Sequence, residues 1–290
     1  MDSNFSYGQM KEMSDPIPLV SVILLTINRP QFIGPAIQSV INQSYCAWEL
    51  VVLHDGTDIR VRPIVEAFAA RDSRVRYMHR EKIGNIANGL NYAIRCSRGN
   101  FIAILDDDDA WVEPKKLEKQ LEALRADSSL MAIGGGAIVV DSAGKEVMRY
   151  RRSIKSNECF RRALLANPVI HSTVLYRRVA AERVGLYDES LAGYQDWDFF
   201  LKLMHLGKVA NLEDFFATYR IWDGGGTSRQ VFRNAWSALR IVIRHRNKFP
   251  GYLPALAASF AYVAFAVLPG SVRRRSYQAL SRFKKRIFSS

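Results

Sequence analysis

"FIAILDDDDAWVEP", residues 101–114, runs five apolar residues directly into four aspartates. A short, nearly continuous apolar run reads as a strand buried on both faces, which puts the aspartates at its carboxyl end. In open α/β sheets ligands bind at that end. Two unit charges about 4 Å apart repel by roughly 1 kcal/mol in water and by about 4 kcal/mol at a partly buried site. A divalent cation relieves that repulsion, since Mg²⁺ and Mn²⁺ take hard carboxylate oxygens, commonly one or two of them with substrate phosphates. A solvated acidic loop, or a helix start before Pro114, would carry the same residues without a metal. The position directly after a buried strand favours the cation.

Upstream, apolar strands alternate with amphipathic helices, the pattern of a mostly parallel sheet covered on both faces. "LVSVILLT" (19–26) is a buried strand, and Ile33, Ile37, Val40 and Ile41 form a helical stripe after it. "ELVVLHDGT" is a second strand ending in an Asp-Gly turn, followed by a helix holding Ile64, Val65, Phe68 and Ala69. "VRYMH" is a third strand and "NIANGLNYAIRCS" a helix leading into the fourth. Thr26-Ile27-Asn28-Arg29, His54-Asp55-Gly56 and Asp106–Asp109 therefore sit at strand carboxyl ends, where three polar loops can converge on one crevice. Downstream the spacing of Leu117, Leu121 and Leu124 predicts a helix, "LMAIGGGAIVVD" and "VIHSTVLY" read as short strands, and a further helix begins near Gln195. No G-x-G-x-x-G and no G-x-x-x-x-G-K-[ST] is present, so the usual dinucleotide and Walker fingerprints are absent.

With 290 residues, 48% hydrophobic and 24% charged, the chain can bury a full core. Cys46, Cys96 and Cys159 are odd in number and widely spaced, which argues against a disulfide framework or a zinc site. Residues 1–17 carry no basic and apolar leader pattern and read as a flexible leader. The formal net charge of +13 is confined to residues 229–290, which hold 13 Lys and Arg and no acid, while the remainder balances 28 basic against 28 acidic residues. Such segregation suits an anionic partner for the tail alone.

Three separated stretches, "VSVILLTINRPQFIGPAIQSVINQSYCAWELVVLHDGTD", "GLNYAIRCSRGNFIAILDDDDAW" and "GLYDESLAGYQDWDFFLKL", together resemble glycosyltransferase family 2 over about 19–222. The resemblance implies the α/β nucleotide-diphospho-sugar transferase (GT-A) fold over 18–228, with a nucleotide-binding half (18–109) and an acceptor half (110–228). It implies that Thr26, Asn28 and Asp55 line the nucleoside pocket, with Asp55 accepting from the base. Asp106-x-Asp108 matches the D-x-D motif, with Asp106 toward the nucleotide and Asp108 ligating Mn²⁺ or Mg²⁺. Asp109 and Trp111 match the acid and aromatic that often follow, and His171 in "NPVIHSTVLY" a histidine near the acceptor. A core position fits Trp111 as well, and a structural role fits His171.

Asp196 in "YQDWDFFLKLM" matches the catalytic base of the family's E-D motif; a helix N-cap would use the same residue type. Asp198 reads as first-turn support for the helix dipole. Three departures stand out: His54 where many relatives have Asp, Gln195 where they have Glu, and Trp222 where they have His, with Asp223 or Arg229 as candidate replacements. The implied activity is inverting transfer of a sugar from a nucleotide donor, UDP first among the bases, to a glycan or lipid-linked acceptor in bacterial surface polysaccharide synthesis. The departures keep a non-catalytic sugar-nucleotide-binding protein open as the alternative.

The tail sets the expected location. Residues 249–272 are uncharged, long enough for a spanning helix but interrupted by Pro250, Pro254 and Pro269 and flanked by basic residues. Spanning, lying in the interface and packing on the domain all stay open. Tyr277, Leu280, Phe283 and Ile287 then make an apolar helix face among basic residues, the pattern of an in-plane anchor on anionic lipid. The expectation is a cytoplasmic protein held peripherally at the inner face of the membrane. Nucleic acid is not an expected partner, since the basic tail lacks interleaved aromatic platforms.

Overall fold

The computed structural model of the protein describes residues 19–80, 85–221 and 231–269. The first strand, β1 (Val20–Thr26), is buried at every residue. It pairs in parallel with β2 (Trp48–His54) on one side and β4 (Phe101–Asp106) on the other, with β3 (Val75–His79) beyond β2. Side chains alternate faces along a strand, and β1 uses both. Val20, Val22 and Leu24 join one apolar layer with α1 (Pro30–Ile41) and α2 (Val61–Ala69), while Ile23 and Leu25 join the other with α3 (Ile86–Cys96). Pro30 opens α1, where its missing N–H is no loss. Asn85 caps α3 by accepting from the Asn88 amide.

Past β4 the sheet changes character. β8 (Leu175–Arg177) pairs antiparallel to β4 and to β6 (Leu130–Val140), and β6 runs parallel to β9 (Lys208–Arg220). β5 (Ala110–Trp111) closes the edge on β9, and β7 (Glu146–Tyr150) folds back on β6. The sheet is parallel throughout its first four strands and mixed beyond. Between the strands lie α4 (Lys116–Ala126), α5 (Ser156–Arg162), α6 (Arg178–Arg183) and α7 (Gln195–Met204). The helix expected at Leu117, Leu121 and Leu124 is α4, which buries all three.

Two details differ from the sequence expectation. "VIHSTVLY" is a strand only at its end: His171–Thr173 form a 3-10 turn, with the Thr173 amide bonded to the Ile170 carbonyl. The 13-residue β9 was not foreseen, because register shifts against β6 break the two-residue alternation that marks a strand. Glycine lets these two long strands close up. A Cβ on Gly135 would stand 2.4 Å from the Phe216 ring and 2.9 Å from the Asp214 carbonyl.

The charge boundary at 229 is not a packing boundary. Helix α8 (Val231–Arg244) places Ala238, Ile241 and Val242 in the same apolar layer as α3 and α7. Phe249 and Ala255 follow them there, the latter from α9 (Tyr252–Val267). Along α9 the residues Ala255, Ser259 and Ala266 are buried, while Leu253, Phe260 and Val267 are exposed. Its 16 residues span about 24 Å, short of the roughly 30 Å of a bilayer core. Among the described residues no helix is long and apolar enough to cross a membrane. The amphipathic face at Tyr277–Ile287 lies outside the described residues, as do Trp222, Asp223 and Arg229. All three cysteines are free.

Candidate active site

Register brings the polar loops together. Thr26 stands opposite His54, and Leu25 opposite Asp106, so β1, β2 and β4 end at one level. Above the end of β4 opens a cavity of about 580 Å³, whose wall includes Arg29, Asp106–Asp109, Asn167, His171 and Asp196. Asp106 and Asp196 are 90 positions apart in sequence and face the same space.

The four aspartates are not equivalent. Asp107 and Asp109 are buried, whereas Asp106 and Asp108 are partly open. Asp107 accepts from the Thr26 hydroxyl at 2.7 Å and from Arg29 Nη1 at 2.7 Å. Asp109 accepts from Ser172 Oγ at 2.5 Å and from the Arg220 amide at 3.0 Å. Burial pushes the Asp107 carboxyl up to about 7 against the pull of Arg29. Burial, with repulsion from Asp106 and Asp108, drives Asp109 well above the carboxylate range.

Asp106 sits deep in the cavity with 42% of its side chain exposed. Burial works against its charge, but the His171 imidazole and Ser172 outweigh it and hold its carboxyl below the ordinary range. Asp108 accepts from Arg29 Nη1 at 3.0 Å. Burial thus alternates along the run: Asp107 and Asp109 are buried, and Asp106 and Asp108 are partly exposed.

His171, on the 3-10 turn rather than a strand, links two groups. Its Nδ1 is 3.3 Å from Asp106 Oδ1 and its Nε2 is 3.1 Å from the Tyr187 hydroxyl. Burial lowers the imidazole pKa, and the Asp106 carboxylate more than reverses this. Its contacts make it a support for Asp106. Trp111 is buried beneath the site, its indole N–H donating to the Ser172 carbonyl at 2.8 Å and its face 4.0 Å from Lys116 Nζ. It is core rather than cavity wall.

Of the residues expected on the nucleoside side, Thr26 and Asp55 are buried, Asn28 is exposed, and none of the three is in the described wall of the cavity. Thr26 is buried with its hydroxyl on Asp107. Asn28, in the left-handed region at φ 54, accepts from the Thr57 and Asp58 amides, both at 2.8 Å. It ties the β1 loop to the β2 loop. Asp55 is wholly buried; Arg80 Nε reaches Oδ1 at 3.2 Å, and Oδ2 meets no donor among the described residues. An unmatched buried carboxylate oxygen costs stability. His54 is buried on Tyr77 and His79, with its pKa lowered by burial and by His79.

Asp196 lies in the first turn of α7, and the N-cap is Tyr194 in the left-handed conformation. It is therefore not the cap. Asn167 Nδ2 donates to Asp196 Oδ2 at 2.6 Å. Asp198, expected to serve the helix dipole, does more: fully buried, it accepts from Arg244 at 2.9 Å and bonds His245 Nε2 at 2.9 Å. Sequence reasoning placed Arg29 in a convergent loop without giving it a role, and missed Asn167, Ser172 and Arg220. Only Arg29 left a signal, a lone cation in a strand-end loop facing four acids.

The sequence profile of glycosyl transferase family 2 matches residues 21–185. The chain belongs to glycosyl transferase family 2. This family 2 protein is 26% identical over 239 residues to an uncharacterized glycosyltransferase of Haemophilus influenzae, covering 79% of this chain and 73% of that one. It is 27% identical to the chondroitin synthase of Escherichia coli over 73% of this chain but 30% of that larger one. Among solved structures it resembles TarS 1-349 of S. aureus in complex with UDP-GlcNAc, at TM-score 0.65 and 18% identity over 84% of this chain and 72% of that one. It also resembles the mannosyltransferase PcManGT of Pyrobaculum calidifontis in complex with GDP-Man and Mn2+, at TM-score 0.63 and 18% identity over 92% and 80%. The protein is a glycosyltransferase with the GT-A fold.

Proposed function

We propose that this glycosyltransferase is metal-dependent and inverting, and moves a sugar from a nucleotide-diphosphate donor, UDP-linked first, to a hydroxyl of a glycan or lipid-linked acceptor in surface polysaccharide synthesis. The observation that carries this is one cavity shared by the partly open Asp106-x-Asp108 pair and by Asp196. Solved neighbours hold UDP-GlcNAc, or GDP-Man with Mn2+, on the same fold. A relative proposed to be the teichuronic acid biosynthesis glycosyltransferase TuaG of Bacillus subtilis is 27% identical over 77% of this chain.

Among the described residues no three His, Cys, Asp or Glu side chains cluster as a complete metal site. The donor set still fits a hard divalent ion, since Asp106 and Asp108 are partly exposed carboxylates in one cavity wall and would hold it together with substrate phosphate. When bound, the ion would neutralise charge developing on the leaving diphosphate. Arg29, already on Asp107 and Asp108, fixes these carboxylates in place.

Asp196 takes the acceptor hydroxyl proton as the acceptor oxygen bonds the anomeric carbon and the bond from that carbon to the donor phosphate oxygen breaks, the nucleoside diphosphate leaving with the electron pair. Asn167 holds Asp196 Oδ2, which directs Oδ1 to the hydroxyl. With no covalent enzyme intermediate required, the anomeric centre inverts. Thr26 and Asp55 support the nucleoside side from beneath and Asn28 from the surface loop, while His171 holds Asp106 and both Asp109 and Trp111 bond to Ser172.

Calorimetric titration of UDP, GDP and dTDP, with and without Mn²⁺, into the protein and its Asp108→Asn variant tests the site. Metal-dependent binding of one nucleotide, lost in the variant, is expected. No binding of any nucleotide would leave the aspartates a purely structural role and overturn the proposal.

A further inference from the structure

Arg152 lines the same cavity two residues beyond β7, and nothing in the mechanism above uses it. Its Nε is buried and has no hydrogen-bond partner among the described residues. Among the described residues no acid forms a hydrogen bond or ion pair with its guanidinium, which stands over the Tyr150 ring with Cζ 4.9 Å from the centroid. The other two arginines among the described wall residues are engaged. Arg29 pairs with Asp107 and Asp108, and Arg220 donates to the carbonyls of Asp108 and Asp141.

The backbone that carries Arg152 is held firmly. Tyr150 pairs with Ala137 on β6. Just beyond, the Asn211 amide donates to the Ile154 carbonyl at 3.1 Å, Asn211 Nδ2 to the Ser153 carbonyl at 2.8 Å, and Arg151 to the Glu213 carbonyl at 2.9 Å. A buried guanidinium N–H without an acceptor is unfavourable, and here a fixed main chain and a stacked ring hold it at a cavity wall. Its planar fork matches the paired oxygens of a carboxylate or phosphate. The donor-side charges gather at the end of β4, whereas Arg152, Asn167 and Asp196 all come from the second half of the chain.

Resting on the nucleotide-sugar reading of this cavity, we propose that Arg152, stacked on Tyr150, binds an anionic group of the acceptor, a phosphate or a carboxylate. The acceptor hydroxyl is then oriented at Asp196 by a charged group elsewhere on the same molecule. Neutral glycans are poor acceptors for the same reason.

The test uses the full chain, saturated with whichever nucleotide and Mn²⁺ it binds, and three probes: glycerol phosphate, methyl glucuronoside and methyl glucoside. Calorimetry or ligand-observed NMR compares wild type with Arg152→Gln, Arg152→Lys and Asp108→Asn. Wild type is expected to bind one anionic probe at least about ten-fold tighter than the neutral glucoside, and which one wins assigns phosphate or carboxylate. Arg152→Gln should abolish the preference, Arg152→Lys should keep part of it, and neither should change nucleotide affinity by more than about two-fold.

Asp108→Asn should lose the nucleotide while retaining the anionic probe. A loss of nucleotide affinity in Arg152→Gln would assign the residue to the donor diphosphate and overturn the proposal. So would an anionic preference that survives Arg152→Gln, or none in wild type. Failure of wild type to bind any nucleotide would instead remove the transferase reading on which it stands.

Discussion

His245 Nε2 lies 2.9 Å from Asp198 Oδ1, joining the basic C-terminal segment to the helix whose first turn carries Asp196. Arg244 reaches the same oxygen at 2.9 Å and Asp188 Oδ2 at 2.7 Å. Lys202 Nζ stands 3.7 Å from Asp198 Oδ2. One wholly buried carboxylate thus gathers Lys202 from α7, Arg244 from the last turn of α8 and His245 just beyond it. Helix α8 is in this way a structural part of the catalytic body.

Removing Asp198 leaves those basic groups without their shared anion. Breaking a buried ion pair from one side typically costs about 3–5 kcal/mol, and Asp198→Ala is expected to lose that much in urea unfolding. A loss below about 1 kcal/mol would mean that the cluster does not tie α7 to α8.

Asp188 gives the stability a defined acid limb. Burial would raise its carboxyl, but the Ser190 hydrogen bonds and Arg244 hold it down at about 2, below the unfolded value of about 3.9. A folded pKa below the unfolded one adds stability that is present above about pH 4 and lost as pH falls toward 2. The difference in Tm between wild type and Asp188→Asn should therefore be largest at neutral pH and shrink steadily between pH 4 and 2. A difference independent of pH in that window would count against the ion pair.

Asn167 positions the proposed base. A misplaced reacting group can cost about 10²-fold, so Asn167→Ala is expected to lower kcat by about 10- to 100-fold with the donor KM nearly unchanged. Asp196→Asn should abolish turnover while keeping nucleotide affinity. Equal loss of turnover and nucleotide binding in Asp196→Asn would remove the base assignment.

The exposed face of α9 is apolar, with Leu253, Phe260 and Val267 outward and no charged residue in the helix. With 13 basic and no acidic residues in 229–290, an anionic bilayer complements it in both polarity and charge. The full chain is expected to pellet with anionic liposomes and a Leu253→Glu/Phe260→Glu variant to pellet several-fold less. Equal pelleting would place any membrane contact elsewhere.

The order of elements through residue 106, and the placing of four aspartates at a strand end, were legible in the sequence because buried parallel strands read as unbroken apolar runs. Asp196 was singled out through its motif and expected near a helix start; that the N-cap is Tyr194 rather than Asp196 emerged only in three dimensions. β9 stayed hidden, because its register shifts against β6 erase the alternation that would mark it. Trp111 could not be assigned from sequence, since an aromatic after the aspartates suits cavity wall and core equally. Its burial and its bond to the Ser172 carbonyl decided for core.

Local pattern, then, determined the strand-and-helix grammar, the segregation of charge and the presence of a D-x-D candidate, since each depends on neighbours in the chain. Tertiary structure alone decided which aspartates turn inward, that Asn167 meets Asp196, and that the basic tail begins as a core helix. Those outcomes depend on contacts between residues tens of positions apart, such as Thr26 with Asp107 and Asp198 with His245. No local spacing encodes such contacts, because burial and partner choice are fixed only when the sheet brings distant segments together.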